Sequence, residues 1–166
     1  YHKIVAQFHE WMTGAGLLYL KEQNLSIGTV FTTHATVVGR CISGNNLPLY
    51  DSLTKYNADE KAHQFSVMAK HSLEKTSAIQ SDLFTTVSDI TAKECIAFLG
   101  RTPDIITPNG FENSFTPKEE EYAAYRSRAR EQLIRVASVM HGVEYPKETL
   151  LVGISGRYEF KNKGID

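Results

Sequence analysis

The sequence predicts an α/β protein with a mostly parallel sheet, and three observations carry that prediction. Short β-rich apolar runs alternate with longer stretches whose apolar residues recur every three or four positions. The joins between them are short, as in right-handed parallel crossovers. Several runs also stop abruptly at a histidine, an asparagine or an arginine, the placement expected where the carboxyl ends of parallel strands face a ligand crevice.

Taken in order, Ile4 to Phe8 reads as a strand ending at His9. A helix from Trp11 to Leu20 follows on Leu17, Leu18 and Leu20; Gly14 and Gly16 weaken its first turn by up to ~1 kcal/mol each and point to close packing on a sheet. Ile27 to Thr33 is the next strand, closing at His34, with Arg40 one helical turn or loop beyond. Ser43 to Tyr56 reads as a loop rich in turn formers, whose Leu47, Leu49, Tyr50 and Leu53 require it either to pack down or to close over something. A long helix is expected from Asp59 to Ile79, with an apolar face of Ala62, Phe65, Met68, Ala69, Leu73, Thr76 and Ile79.

Leu83 to Val87 is a further strand, and Ser88 caps a helix that carries Asp89 in its first turn, reaches Leu99 and stops at Gly100. Asp104 to Thr107 gives a fourth strand, ended by the turn Pro108-Asn109-Gly110. Thr116 caps the last helix, with Pro117 at its first position, three glutamates in its first turn and an apolar face reaching Gly142. Its arginines 126, 128, 130 and 135 read as a solvated face paired with nearby acids. Leu150 to Ile154 is a last strand, followed at once by Ser155, Gly156 and Arg157.

The 166 residues suffice for one domain with a sizeable core and not for two. With 42% hydrophobic and 22% charged residues and a formal charge of −1, the composition is that of a soluble globular protein and argues against a nucleic-acid surface. No apolar run approaches the ~20 residues of a membrane span and no signal peptide is legible, so a cytoplasmic address is expected. Cys41 and Cys95 lack any paired framework and read as free thiols. A start at Tyr1 and an end at Asn-Lys-Gly-Ile-Asp lead us to expect an excerpt of a longer protein.

The candidate chemistry lies at the strand ends: His9 and Glu10, His34, Asn109, and Arg157 with Lys163. A lone histidine is most often structural, but polar residues at several strand ends converging on one sheet edge favour a binding site for something polar or anionic. For Arg157 and Lys163 the specific chemistry is neutralisation of a diphosphate, the arginine through two donors and the lysine as a mobile point charge. His63 and His71 stand eight apart with no HExxH pattern, so no metal site is expected. Neither a nucleophile elbow nor a glycine-rich phosphate loop is present.

Five blocks then stand in order and with consistent spacing: Phe8-His9-Glu10-Trp11; Phe31-Thr32-Thr33-His34-Ala35-Thr36 with Gly39-Arg40; Phe84-Thr85-Thr86-Val87-Ser88-Asp89-Ile90-Thr91; Pro108-Asn109-Gly110; and Gly156-Arg157-Tyr158-Glu159-Phe160-Lys161-Asn162-Lys163-Gly164. In these the chain resembles the glycogen synthases of the animal and fungal type and their bacterial relatives. The resemblance implies a retaining glucosyltransferase with two Rossmann-like domains facing across a cleft, the GT-B arrangement. Its substrates would be a nucleotide-sugar, UDP-glucose in this branch, and the non-reducing end of an α-1,4-glucan; no separate cofactor is implied.

On the same resemblance, residues 1–146 correspond to the later part of the N-terminal Rossmann-like domain, and residues 147–166 to the crossing segment and the first strand and turn of the C-terminal nucleotide-binding domain. His34 would lie against the donor glucose and Arg40 would reach the same pocket near sugar or phosphate. Arg157 and Lys163 would hold the diphosphate, Asn109 would line the cleft, and His9 and Glu10 would contact donor or acceptor.

The family's glycine-rich donor loop, its paired catalytic glutamates and the regulatory arginine-rich helix of its eukaryotic members do not occur in these residues. The excerpt alone is therefore expected to be inactive, and its catalytic residues are not assigned. A transferase of the same fold using ADP-glucose or a non-glucan acceptor, and a non-catalytic glucan-binding relative, remain open readings, as does a homo-oligomer of the full-length form.

Overall fold

The structure is a computed structural model that describes residues 3–156. The chain divides into two compact units, residues 1–109 and 110–166. The first is built on four parallel strands, β1 (Ile4–His9), β2 (Ile27–Thr33), β3 (Leu83–Thr86) and β4 (Ile105–Ile106), in the order β1-β2-β3-β4. Register pairs His9 with Thr32 and Thr33 with Thr86, so the carboxyl ends of the first three strands lie level. The α/β fold with a parallel, Rossmann-like sheet is thus the one the sequence predicts.

The central strands are threonine-rich and buried, and their hydroxyls are engaged with one another. Gln7 donates to Thr32 Oγ1 at 3.2 Å, Thr32 and Thr85 share a proton at 2.8 Å, and Thr86 Oγ1 donates to the Thr33 carbonyl at 2.7 Å. One apolar cluster gathers Leu17, Phe31, Ala78, Phe84, Cys95 and Leu99. A second joins Val38, Ile42, Ala62 and Phe98, with Leu49, Leu53 and Tyr56 packed against it. The turn-rich segment therefore packs down, and Tyr50–Lys55 within it forms a 3-10 turn.

Helix α1 (Glu10–Glu22) begins one residue earlier than its apolar spacing indicates. Its glycines serve two different neighbours. A Cβ on Gly14 would stand 2.4 Å from Ser77 Oγ on a facing helix, and one on Gly16 would meet Phe8 of β1 at 3.1 Å. Only Gly16 marks the sheet contact expected of both. Helix α2 (Val37–Gly44) occupies the stretch after His34 that the sequence left as a helical turn or loop.

The long helix expected over 59–79 is two helices, α3 (Ala58–Gln64) and α4 (Met68–Gln80), broken where Ser66 turns left-handed at φ 58°. The break lets each half bury a different face. Ala62 of α3 enters the second cluster, while α4 turns His71, Glu74, Ser77 and Ala78 inward and leaves Ile79 50% exposed. The apolar face read from periodicity is therefore not the buried face of α4. Polar groups hold that place because they bond neighbours from inside: His71 Nε2 meets Asp59 Oδ1 at 3.0 Å, and Glu74 binds a backbone amide of α2.

Helix α5 (Asp89–Glu94) is capped by Ser88, whose Oγ accepts from Thr91 N at 3.1 Å; it continues through a π turn, Cys95–Leu99, to Gly100 at φ 72°. Strand β4 is shorter than the four residues expected. In the second unit, Thr116 closes a 3-10 turn (Asn113–Phe115) rather than capping a helix, and α6 (Glu119–His141) starts after Lys118 and ends at Gly142. None of its described residues is buried. Arg130 donates to the carbonyls of Lys147 and Thr149 instead of to an acid, and no ion pair among the described residues involves the arginines of α6.

Leu150 to Ile154, expected as a strand, pairs with no strand among the described residues, and Leu150 and Val152 are 84% and 88% exposed. A β-prone run forms a strand only where a partner takes its amides, and none of the described residues does so.

Candidate functional site

Strands β1 and β2 deliver His9, Glu10 and His34 to one edge of the sheet because they run parallel and end level. His9 Nδ1 and His34 Nε2 lie 3.0 Å apart with the rings stacked at 5.3 Å, so one nitrogen carries the shared proton and the other accepts it. Glu10 adopts φ 61°, the left-handed region that a residue with a Cβ seldom enters. That turn carries its carboxylate back over the site: Oε1 accepts from His34 N at 3.1 Å and from Arg40 Nη2 at 3.3 Å. The Glu10 side chain is 12% exposed and that of Arg40 49%, so the anion is held within and the cation faces out.

Helix α2 sets where Arg40 stands. Thr36 caps it, its hydroxyl accepting from Gly39 N at 3.0 Å and donating to Glu94 Oε2 at 2.9 Å. Val37 N donates to Glu74 Oε2 at 2.9 Å, and Tyr50 OH donates to Glu94 Oε1 at 2.7 Å. Burial raises the Glu74 carboxyl to about 8, with the nearby Glu10 and Glu94 adding to the rise against the pull of Val37 N and Arg40. Burial likewise pushes the Tyr50 hydroxyl up, helped by the Glu94 carboxylate it bonds. Burial also pushes the Cys95 thiol up to about 12, and Cys41 and Cys95 are both free.

Four of the site residues predicted from sequence, His9, Glu10, His34 and Arg40, are thus linked in one chain of contacts. Asn109 follows β4 and is exposed, without a hydrogen bond to this cluster among the described residues. Arg157 and Lys163 lie outside the described residues. Among the described residues, no three His, Cys, Asp or Glu side chains are grouped to hold a metal ion. No helix there is long and apolar enough to cross a membrane.

Sequence reasoning missed Thr36, Tyr50, Glu74 and Glu94. One signal was available, since His71, Glu74 and Ser77 recur at three-residue steps and so share a helix face. Such a polar face reads as solvated until something is seen to cover it.

A parallel sheet presenting an imidazole pair, a carboxylate and an arginine at its carboxyl edge is an arrangement suited to a polar, hydroxyl-bearing or anionic ligand. Comparison with known proteins narrows the class. The family model for glycogen synthase matches residues 1–166, and the chain belongs to that family. It is 40% identical over 167 residues to the liver glycogen (starch) synthase of Homo sapiens, covering 98% of this chain and 24% of that protein. To the glycogen (starch) synthase of Dictyostelium discoideum it is 38% identical over 169 residues, 99% of this chain and 19% of that protein. The corresponding protein of Neurospora crassa is 34% identical, with 98% and 24% covered. The chain therefore spans about a quarter or less of the length of these relatives.

Proposed function

We propose that the full-length protein is a retaining glucosyltransferase of the GT-B type that moves glucose from UDP-glucose to the 4-hydroxyl at the non-reducing end of an α-1,4-glucan, in the cytoplasm. The observation that carries this reading is the cluster of His9, Glu10, His34 and Arg40 on one sheet edge, in a chain of the glycogen synthase family. In this reading residues 1–146 belong to the N-terminal domain and 147–166 open the C-terminal one.

The chemistry follows from charge. As the bond from glucose to diphosphate breaks, negative charge grows on the leaving nucleotide, and fixed cations placed there stabilise the transition state more than the ground state. Arg157 and Lys163 supply those cations, and Arg40 adds a third near the sugar or phosphate. His34, held by its contact with His9 and by the bond from its own amide to Glu10, presents its ring to the glucose hydroxyls. Asn109 lines the cleft. Orientation of this kind contributes by removing the freedom of donor and acceptor before reaction.

The test is release of nucleoside diphosphate from UDP-glucose and from ADP-glucose, with and without glycogen, in the full-length protein beside its Arg157→Ala and His34→Ala variants. Glycogen-dependent release of UDP that falls at least about a hundredfold in both variants is the expected result. Release from ADP-glucose alone would replace the donor, and release from neither would remove the transferase reading.

A further inference from the structure

Beneath the sheet edge lie two buried carboxyl groups that the proposed chemistry does not use. Glu74 on α4 is fully buried and Glu94 at the end of α5 is 3% exposed. Burying a carboxyl is unfavourable unless donors meet it. Here three donors come from one short segment, Val37 N to Glu74, Thr36 Oγ1 to Glu94, and more weakly Thr36 N to Glu94 at 3.4 Å, and Tyr50 OH adds a fourth. Gly39 leaves room for this, because a Cβ there would stand 2.3 Å from Glu94 Oε2.

We propose that Glu74 and Glu94 are positioning residues, a clasp on the first turn of α2 that fixes where His34 and Arg40 meet the ligand. The proposal rests on the donor-site reading of His34 and Arg40 given above. Thr36 and Val37 lie between those two residues in the chain, so a shift of the clasped turn moves both at once. Tyr50 closes the clasp from outside, its hydroxyl bonding Glu94 while the residue itself stays 53% exposed.

The two carboxyls have different chemistry. Glu74 Oε2 accepts from Val37 N, and Oε1 has no partner among the described residues. A neutral acid fits that pattern, with its carbonyl oxygen toward the amide and its proton on the other oxygen. The charged and titratable groups around it are Glu10 and Arg40 at the sheet edge, Glu94 and Cys95 on the α5 side, and His71 one turn earlier on α4. Ionisation of Glu74 would place a second buried anion beside Glu94 and loosen the clasp, so its consequence is a fall of activity above about pH 8.

The experiment uses the full-length protein and reads kcat, KM, the pH profile of kcat/KM and the thermal midpoint. Glu74→Ala is expected to lower kcat/KM at pH 7 by about tenfold or more, the scale of a small misplacement of reacting groups. Glu74→Gln, which keeps the acceptor for Val37 N, is expected to restore it to within about threefold and to flatten the alkaline limb. Should Glu74→Ala fail to fold, Tyr50→Phe carries the test from the surface, with a loss of about threefold or more in kcat/KM and an unchanged midpoint. Wild-type kinetics in Tyr50→Phe, or an alkaline limb unchanged in Glu74→Gln, would overturn the clasp. A His34→Ala control separates the two layers: full activity there removes the donor-site reading and the clasp with it. Loss of activity there, with wild-type kinetics in Tyr50→Phe or an unchanged alkaline limb in Glu74→Gln, removes the clasp alone.

Discussion

Gly39 is where the requirements of the core and of the site meet. It is buried, and an added methyl would collide with Glu94 Oε2 at 2.3 Å and Thr36 Oγ1 at 2.7 Å. Neither oxygen can retreat without giving up a bond that holds α2. Gly39→Ala is therefore expected to destabilise the protein by about 1–3 kcal/mol, the range for overpacking a filled interior, with a lower thermal midpoint as the readout. Of the strand-end residues, His9, Glu10 and His34 were legible because strand polarity alone brings them together. Glu74 was not, because a glutamate followed by Lys75 and Thr76 reads as part of a solvated helix face, and its burial emerges only once α4 is packed.

At the scale of elements, the break between α3 and α4 is the main departure from periodicity. Apolar residues continue at helical spacing from Ala62 to Ile79, so nothing in the pattern marks a boundary; the boundary falls at the left-handed Ser66, beyond which α4 packs chiefly on α1. Ser66 carries the left-handed turn at a steric disadvantage of about 1 kcal/mol. Ser66→Gly is expected to stabilise the protein by up to about that amount, and Gly100→Ala, at φ 72°, to destabilise it similarly; unfolding in denaturant measures both. Caps were legible where a side chain does the capping, as at Ser88. Thr116 misled because its segment closes a 3-10 turn before the helix begins.

Across the whole molecule, buried ionisable groups tie stability to pH. Glu74 titrates at about 8 in the fold against an ordinary 4.5, so its effect on stability is most favourable below 4.5 and is lost as pH rises towards 8. His71, lowered by burial, acts in the opposite sense, since protonation of the unfolded chain below 6.5 favours unfolding. The clean observable is a difference. Glu74→Gln should gain stability relative to wild type as pH rises from 4.5 to 8, by at most about 1.4 kcal/mol per pH unit. A difference that stays flat over that range would contradict a neutral Glu74. At the same scale, residues 1–166 alone are expected to transfer no glucose, and detectable transfer by them would count against a site shared with the rest of the protein.

Glu10 holds a backbone conformation that disfavours its own side chain, and that side chain is what tethers Arg40 and the His34 amide. Such a residue marks a position where selection for thermal robustness and selection for turnover pull in opposite directions. A library screened for heat tolerance alone would drift toward glycine at position 10, and the survivors would be the hardier and the less active proteins.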